Sequence, residues 1–353
     1  MSMSATLLKE WFQKEQRDFP WRKERSPYVV LVSEIMLQQT RAVVVLPYFL
    51  SWMEKFPDFP TLARAKEEDI IKAWEGLGYY SRARNLQSIA KKVVDDFDGI
   101  FPSDYDDILS FKGIGPYTAA AISHFAFGKK AVGADGNIKK VIARFYGYQD
   151  RIDRGSGLLE LLDTFLGEKS DPHVFEGLIE LGATLCSKKP KCELCPLQDN
   201  CIANIENLTD KIPLVKKREK IIPLHRFVFL IIKGDEVLIK KEDRKLMNGL
   251  HEFPYLEREE GESENAAKIR MEKEFSCSLE YKESFGEVSH SFTKYRATLF
   301  PILCFFSDGT ALSSGYKFVN LSKLENYSFS SGHRKIIDSF LLEAPFITLA
   351  TKI

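Results

Sequence analysis

The stretch SDYDDILSFKGIGPYTAAAISHFAFG, residues 103–128, decides the fold of the N-terminal part of this chain. Ser103 is expected to cap a helix over residues 104–110, because a serine oxygen can accept a hydrogen bond from a free N–H group of the first turn. The chain then turns through FKGIG, and Pro116 suits the first position of a second helix over residues 117–127. Gly128 suits the left-handed residue that ends such a helix. The pattern predicts two helices joined by a tight turn.

The glycines of this turn, Gly113 and Gly115, suggest a contact with phosphate. Glycine adopts φ > 0 and carries no side chain, so backbone N–H groups and the start of the second helix can face a phosphate directly. An ordinary hairpin of two helices has the same pattern, and both interpretations stand from the turn alone. Asp135 lies just beyond the second helix, next to Gly136. Such a pair is commonly a turn, but here it also places a carboxylate after the hairpin.

The chain changes character at residues 205–224, which contain Pro213 and Pro223. Before them, apolar residues recur at helical spacing from residue 6 to about residue 203. We predict a multidomain protein with an all-α domain at 1–204, a linker at 205–224 and a smaller α+β domain at 225–353. The elements predicted in the second domain are strands at 227–232, 237–240, 279–285 and 295–306 and a helix at 264–275.

Composition gives no global argument for a charged partner, because 50 basic side chains balance 50 acidic ones in 353 residues. At 44% hydrophobic residues the chain can bury substantial cores. The N-terminus does not resemble a signal peptide, and the longest apolar runs fall far short of the roughly 20 residues that span a bilayer. We expect a soluble, monomeric protein without a membrane partner, located in the cytoplasm with the bacterial nucleoid.

Four of the six cysteines lie close together, with the spacing C-x5-C-x2-C-x5-C over residues 186–201. A chain without a secretion signal argues against disulfides. Zinc ribbons usually offer two separated C-x2-C pairs, and this stretch has one. Four cysteines on one loop favour a [4Fe–4S] cluster, with zinc as the alternative.

Glu34 lies within an apolar helical run at residues 28–37. A carboxylate there is costly unless it is protonated or hydrogen-bonded, although most glutamates simply lie on a helix surface. Residues 38–40, QQT, follow the run and offer donors and acceptors for base edges. Residues 76–85, GLGYYSRARN, combine aromatic and arginine side chains suited to bases and phosphates. The same block would also fit a helix start with a buried tyrosine.

Together these segments resemble MutY-type adenine DNA glycosylases of the endonuclease III superfamily in order and approximate spacing. The matching segments are PWR (20–22), SEIMLQQT (33–40), GLGYYSRARNL (76–86), FKGIGPYTA (111–119), ADGN (134–137) and the cysteine loop. The resemblance implies an all-helical helix-hairpin-helix glycosylase domain with two lobes. It also implies removal of adenine mispaired with 8-oxoguanine or guanine in double-stranded DNA, in base excision repair.

The resemblance assigns roles position by position. Glu34 would be the catalytic acid and Asp135 the carboxylate that stabilises the transition state, with Tyr117 beside them. The adenine pocket would be completed by Trp21, Arg22 and Glu176. The duplex and the oxidised guanine would be contacted by Gln39, Thr40, Leu77, Tyr79, Gly113 and Gly115. The [4Fe–4S] cluster would be held by Cys186, Cys192, Cys195 and Cys201, although the first gap here has five residues where the family usually has six.

The C-terminal third resembles the family's MutT-like, or Nudix-like, domain. GLHEFP at residues 249–254 is similar to the family's GLWEFP segment. Phe292, Thr293 and Lys294 resemble the loop that reads 8-oxoguanine, where the family usually has Phe-Ser-His. Threonine keeps the hydroxyl, and lysine replaces the histidine. The resemblance therefore implies a recognition domain for 8-oxoguanine.

Two other functions are compatible with parts of the pattern. One is an endonuclease III-like glycosylase for oxidised pyrimidines. Tyr117, at the position where bifunctional relatives carry a lysine, and the extra C-terminal domain both argue against it. The other is a non-catalytic protein that binds DNA lesions. Replacing Glu34 by Gln distinguishes them, because a binding protein would be unaffected and a glycosylase would lose turnover.

Overall fold

The protein is described from a computed structural model, which covers residues 2–153, 156–169, 171–216, 220–243, 247–309 and 315–343. Residues 217–219 of the predicted linker therefore lie outside the described part. Contacts divide the chain into two compact units, Met1–Arg64 with Asn85–Arg218 and Ala65–Arg84 with Glu219–Ile353. This division differs from the predicted one because residues 65–84 group with the C-terminal residues, through contacts such as that of Glu75 with Arg334.

Helices dominate the chain up to residue 205. Their bounds are α1 (Met3–Glu15), α2 (Pro20–Lys23), α3 (Pro27–Leu37), α4 (Ala42–Lys55), α5 (Phe59–Arg64), α6 (Glu67–Ala73), α7 (Ser81–Asp96), α8 (Tyr105–Ser110), α9 (Pro116–Phe127), α10 (Gly136–Phe145), α11 (Gly157–Leu166), α12 (Pro172–Ala183) and α13 (Ile202–Ile205). The cysteine loop between α12 and α13 contains two 3-10 turns, Cys192–Leu194 and Gln198–Asn200.

The predicted helical hairpin is present as α8 and α9, with two corrections. The N-cap of α8 is Asp104 rather than Ser103, because the Asp104 carboxylate accepts from the Asp106 N–H at 2.9 Å. Gly113 has φ = 93°, but Gly115 has φ = −101° and is the extended N-cap of α9. Only the first of these two glycines therefore needs the left-handed region. Gly128 ends α9 at φ = 62°, as predicted.

The first unit places its functional helices in a buried apolar environment. Residues 28–36 of α3 are all buried, so the helix that carries Glu34 is nearly surrounded by protein. A second core is formed by α10, α11 and α12, in which Ile142, Leu162 and Leu178 are fully buried. It fixes the position of α10, which begins directly after Asp135. Burial of these apolar faces is the main force that fixes the helices in position.

The second unit contains a mixed β-sheet. Its strands are β1 (Ile222–Lys233), β2 (Glu236–Lys241), β3 (His251–Glu252), β4 (Tyr255–Glu257), β5 (Cys277–Ser284), β6 (Val288–Phe292), β7 (Tyr295–Gly309) and β8 (Tyr316–Asn320). The central order is β3-β2-β1-β7-β5, with β1 and β7 parallel over Ile222–Ile232 and Tyr295–Phe305. The remaining pairings are β4 with β1, β6 with β7 and β8 with β2.

One helix packs on each face of this sheet, α14 (Glu264–Phe275) and α15 (Ser331–Glu343). Successive residues of β1 point to opposite faces, so Phe229 packs in the core that contains Met271 of α14, and Leu230 packs in the core that contains Ile337 of α15. This double burial explains the continuous apolar run at 227–232. The predicted helix at 264–275 matches α14, and the predicted strands lie in β1, β2, β5 and β7. Among the described residues, no helix has both the length and the apolar character needed to cross a bilayer.

Candidate active site

A cavity of about 820 Å³ in the first unit contains the predicted catalytic residues. Glu34 from α3, Tyr117 from α9 and Asp135 at the start of α10 all line it, and we call it the acid cavity. These positions are separated by up to a hundred residues in the chain, and the packing of three helices brings them together. The volume falls within the range that accommodates small-molecule ligands in proteins.

Glu34 is only 6% exposed, and its environment favours the protonated form. Burial raises its pKa to about 8, and the nearby carboxylates of Asp135 and Glu176 act in the same direction. A hydrogen bond from the Tyr117 hydroxyl and the charge of Arg22 oppose the shift without cancelling it. A carboxyl group with this pKa can donate a proton near neutral pH.

Asp135 has a different set of partners. It is the N-cap of α10, where its carboxylate accepts from the Ile138 N–H at 2.7 Å and from Asn137 Nδ2 at 3.0 Å. Burial raises the pKa of Asp135 above its ordinary value, and these donors and the charge of Lys140 oppose that rise. The N-terminus of a helix also favours a negative charge. The cavity thus holds two carboxyl groups, one with few partners for its charged form and one with several.

A network of arginines and glutamates forms one wall of the acid cavity. Arg22 Nε lies 2.8 Å from Glu176 Oε1, and Arg22 Nη2 lies 2.7 Å from Glu180 Oε2. Arg17 and Arg25 bind the other sides of these carboxylates, at 2.6 Å from Glu180 and 2.5 Å from Glu176. Burial would raise the pKa of Glu180, but the bonds from Arg17 and Arg22 hold it below its ordinary value. The predicted pair Arg22 and Glu176 is therefore part of a larger buried ion-pair network.

The remaining predicted residues of this region also line the acid cavity. Trp21 is stacked on Phe19, with ring centroids 4.7 Å apart, and forms an edge contact with Phe49. Gln39 and Thr40 follow α3 at the rim, and Gln39 has φ = 57°. The neighbouring Gln38 donates to the Gly113 carbonyl at 3.3 Å, which ties this segment to the hairpin turn.

Leu77 and Tyr79 lie in a different place, a cavity of about 380 Å³ in the second unit. We call it the aromatic cavity. It is lined by Gly76–Tyr80, Met247, Leu250, His290–Thr293, Ser330 and Ser331. The structure thus brings Leu77 and Tyr79, the residues predicted to contact the duplex and the oxidised guanine, together with Phe292 at the end of β6 and Thr293 after it. Lys294 is exposed outside this lining, with its ammonium 5.6 Å from the centroid of the Tyr295 ring.

Two residues of the aromatic cavity have strained backbones. Tyr79 and Thr293 both have φ = 49°, in the left-handed region that is unfavourable for aromatic and β-branched residues. Such strain costs about 1–3 kcal/mol and occurs preferentially at functional sites. Tyr79 is 47% exposed, whereas its neighbour Tyr80 is buried. The strained loop therefore presents one aromatic ring to solvent.

The arginines of the 76–85 block do not extend freely toward solvent. Arg82 is buried and donates to the carbonyls of Leu77 and Gly78 at 3.0 and 3.1 Å. Burial lowers its pKa to about 10. Arg84 binds Glu67 at 2.6 Å. Arg82 fixes the loop that carries Tyr79 and Arg84 is engaged by Glu67, so the expectation that they bind phosphates is not supported by their placement.

The four clustered cysteines line one small cavity of about 30 Å³ in the first unit. Arg144 donates to Cys186 Sγ at 3.3 Å, so the shortened first gap still brings Cys186 to the other three. Among the described residues, no group of three or more His, Cys, Asp or Glu side chains is arranged so that it could hold a metal ion. Burial raises the pKa of Cys195 to about 12 and also raises that of Cys201. Burial thus disfavours the deprotonated cysteines, and the positive charge of bound iron would stabilise them.

Sequence reasoning missed Arg17, Arg25 and Glu180 of the ion-pair network. Glu180 lies four residues after Glu176 on α12, so both carboxylates share one helix face. This four-residue spacing is the sequence signal that could have identified Glu180. It could not show that the face meets three arginines from more than 150 residues away.

Comparison with known proteins matches three parts of the chain. Residues 32–161 match the HhH-GPD superfamily of base excision DNA repair proteins, residues 187–201 match the iron-sulfur binding domain of endonuclease III, and residues 227–339 match the NUDIX domain. A solved thermostable thymine-DNA glycosylase shares the fold of the helical part. It is 31% identical, with a TM-score of 0.53, and the match covers 57% of this chain and 95% of that one. The fold and site thus define a helix-hairpin-helix DNA glycosylase with an iron–sulfur cluster and a Nudix domain.

Full-length relatives identify the branch of this class. The adenine DNA glycosylase of Buchnera aphidicola subsp. Acyrthosiphon pisum is 32% identical, over 85% of this chain and 85% of that protein. That of Buchnera aphidicola subsp. Baizongia pistaciae is 35% identical, over 70% of this chain and 72% of that protein. The chain belongs to the adenine DNA glycosylases, enzymes of base excision repair that bind DNA and remove adenine.

Proposed function

We propose that this enzyme removes adenine mispaired with 8-oxoguanine or guanine, with Glu34 as general acid and Asp135 as the carboxylate that stabilises the cationic sugar. The observation that carries the proposal is the shared acid cavity, in which burial raises the pKa of Glu34 to about 8 while Asp135 keeps donors for its charged form. Two carboxyl groups with separate roles also serve in glycoside hydrolysis.

The reaction begins with extrusion of the adenine nucleotide, because its glycosidic bond is not accessible inside a duplex. The acid cavity offers the extruded base an aromatic wall at Trp21 and hydrogen-bonding groups at Arg22, Glu176 and Tyr117. A mispaired base costs less to extrude than a paired one. Part of the selectivity for mispairs thus arises before chemistry.

Bond cleavage needs a proton on the departing base, because adenine is a poor leaving group as an anion. The Glu34 carboxyl donates its proton to a nitrogen of the purine's imidazole ring. The sugar left behind resembles an oxocarbenium ion, and Asp135 stabilises it by charge or by transient covalent attack. The Tyr117 hydroxyl bonds to Glu34 and positions it.

We propose base removal without strong strand cleavage. Tyr117 occupies the position of the lysine that forms a Schiff base in bifunctional relatives, and a phenol cannot form that adduct. Borohydride should therefore trap little covalent enzyme–DNA complex under conditions of full adenine release. Efficient trapping would show lyase chemistry and contradict the proposal.

Recognition of the partner base is assigned to the aromatic cavity and to the rim of the acid cavity. Leu77, Tyr79, Phe292 and Thr293 supply stacking surface and a hydroxyl in the former, and Gln39 and Thr40 supply polar groups in the latter. Lys294 directly follows Thr293 in the chain and is exposed for a phosphate or base contact. The turn with Gly113 and Gly115 presents the start of α9 to a phosphate of the duplex.

The iron–sulfur cluster is proposed to be [4Fe–4S], held by Cys186, Cys192, Cys195 and Cys201. The support for a cluster is that all four cysteines line one cavity, that residues 187–201 match the iron-sulfur binding domain of endonuclease III, and that one loop carries all four thiols where zinc ribbons usually have two separated pairs. Purified protein should contain about four irons and no stoichiometric zinc per chain, as measured by metal and sulfide analysis. One zinc per chain without iron would overturn this assignment.

The deciding experiment is a single-turnover assay on duplexes that carry adenine opposite 8-oxoguanine, guanine or thymine. Adenine release should be fastest opposite 8-oxoguanine, slower opposite guanine and absent opposite thymine. Duplexes with an oxidised pyrimidine, or with thymine opposite guanine, serve as controls and should be left intact. Cleavage of the pyrimidine duplex, or binding without release from any duplex, would favour the other functions. Light scattering should show a monomer.

A further inference from the structure

A largely buried carboxylate, Glu75, directly precedes the residues 76–80 that line the aromatic cavity. Glu75 accepts from the Phe329 N–H at 3.0 Å, Arg334 Nε lies 2.8 Å from the same oxygen, and Lys72 Nζ lies 2.6 Å from the other oxygen. The Glu75 side chain is 12% exposed. Its next residue begins the wall at 76–80, and Phe329 immediately precedes the wall at Ser330 and Ser331. One side chain thus joins two walls that lie about 250 positions apart in the chain.

The segment with Ser330 and Ser331 leads into α15, and the start of α15 packs closely against β6, the strand that ends at Phe292. Gly332, in the first turn of α15, lies so close to β6 that a Cβ atom there would be 2.6 Å from His290 Cδ2. Lys335 donates to the Ser289 carbonyl at 3.2 Å. A continuous set of contacts therefore runs from Glu75 through the start of α15 to the turn that carries Phe292 and Thr293.

We propose that Glu75 is a positioning residue that sets how strongly the enzyme prefers 8-oxoguanine over guanine opposite adenine. This rests on the proposed function, in which Tyr79 and Phe292 supply stacking surface to the partner base. The two bases differ by few atoms, so discrimination requires the walls to be held within about 0.5 Å of their productive geometry. Glu75 meets this need because it binds donors from both segments in a place with little access to water.

A second ion pair between the same two segments provides a matched control. Lys241 lies 3.0 Å from Glu68, but the side chains are 50% and 80% exposed. Exposed pairs of this kind contribute little to fixed geometry. Loss of the Glu68 charge should therefore leave recognition unchanged, whereas loss of the Glu75 charge should not.

The test is the ratio of single-turnover rate constants on duplexes with adenine opposite 8-oxoguanine and opposite guanine. In E75Q, which leaves Arg334 and Lys72 without their counter-charge, the ratio should fall about tenfold, corresponding to about 1.4 kcal/mol. E68Q should keep the wild-type ratio. R334K, which keeps the charge and loses the guanidinium's second bond, to the Tyr327 carbonyl, should fall between the two.

A purely structural role predicts a different result. E75Q would then slow both duplexes by the same factor, or lower the unfolding temperature without changing the ratio, and either result would overturn the proposal. If E75Q does not fold, R334K decides by the same ratio, and an unchanged ratio counts against the proposal. Failure of the proposed function is separately visible, because wild-type enzyme would then show no preference for 8-oxoguanine.

Discussion

The acid cavity and the aromatic cavity differ in what lines them. The first contains several carboxylates and arginines, including Glu34, Asp135 and the pair Arg22 and Glu176. The second is lined by glycines, aromatic rings, hydroxyls and a histidine, with no charged carboxylate or arginine among its lining residues in the described part of the chain. Charged groups that shift each other's pKa suit proton transfer, and rings with hydroxyls suit contact with a base.

Under the proposed function, Glu34 and Asp135 of the acid cavity carry out the chemistry, and the aromatic cavity contributes to recognition of the partner base. Left-handed backbones occur at both cavities, at Tyr79 and Thr293 of the aromatic cavity and at Gln39 of the acid cavity. Changes at Glu34 and Asp135 should lower the rate on every adenine substrate alike. Changes in the aromatic cavity should alter the preference among partner bases.

The largest effect is expected for Glu34→Gln. Glutamine keeps the size of the side chain but cannot donate a proton as an acid, so the single-turnover rate should fall about a thousandfold on both duplexes, within the range that a general acid supplies. Affinity for the mispaired duplex should remain within about twofold, since the amide fits the same space. A similar rate loss confined to the 8-oxoguanine duplex would contradict the proposal that Glu34 acts in chemistry and not in recognition of the partner base.

Asp135→Asn should have the next largest effect. The substitution removes the negative charge that faces the sugar, and the rate should fall about a hundredfold on both duplexes. Asparagine is as good an N-cap as aspartate, so α10 should be retained. Thermal unfolding provides the check, because a large drop in unfolding temperature would show that the rate loss came from a damaged helix.

Tyr79→Ala should reduce the preference for 8-oxoguanine about tenfold, in line with the free energy of stacking one base on an aromatic ring. Tyr79→Phe is the matched control, since it keeps the ring and loses the hydroxyl. It should retain most of the preference. Equal loss in both variants would mean that the hydroxyl, rather than stacking, reads the partner base.

The smallest effects are changes in stability on replacing the two glycines of the hairpin turn, and we expect them to differ between the two positions. Gly113→Ala should lower the free energy of unfolding by about 1–2 kcal/mol, because alanine is unfavourable at φ = 93° and its Cβ would lie 2.3 Å from Asn85 Nδ2. Gly115→Ala should lower it by less, about 0.5 kcal/mol, since Gly115 has φ = −101° and open space around it, and the remaining cost is that alanine is a poorer N-cap than glycine. Urea unfolding of both variants makes the comparison, and equal destabilisation would contradict it.

The sequence predicts the elements whose signals are local. Pro116 and Gly128 mark both ends of α9, and the run at 227–232 marks the centre of β1, because these features depend on the residues themselves. The pairing of Glu34 with Asp135 in one cavity came from the resemblance. No local pattern in either segment indicates the other.

What could not be predicted depends on distant contacts. Glu75 joins residues 65–84 to the C-terminal part of the chain, and its partners Phe329 and Arg334 are about 250 positions away. The sequence allows φ > 0 at both glycines of the turn and does not show that Gly115 takes the extended conformation of a helix N-cap. Lys294 matches a recognition motif by position, but the structure places it outside the cavity lining.

The central claim is that Glu34 is protonated at neutral pH and supplies the proton. Its pKa is about 8 in the folded protein and about 4.5 ordinarily. Between pH 4.5 and about 8, Glu34 is therefore protonated in the folded chain and ionised in the unfolded chain. The contribution of Glu34 to the free energy of unfolding is fully present below pH 4.5 and is lost as the pH rises toward about 8.

The most direct measurement is the single-turnover rate of adenine release opposite 8-oxoguanine as a function of pH, for wild-type enzyme and for Glu34→Gln. The wild-type rate should fall as the pH rises through about 8, because the acid then loses its proton. The variant should be slow throughout and lack this decline. A wild-type rate that rises through pH 8, or a variant that keeps the wild-type rate and decline, would contradict the account.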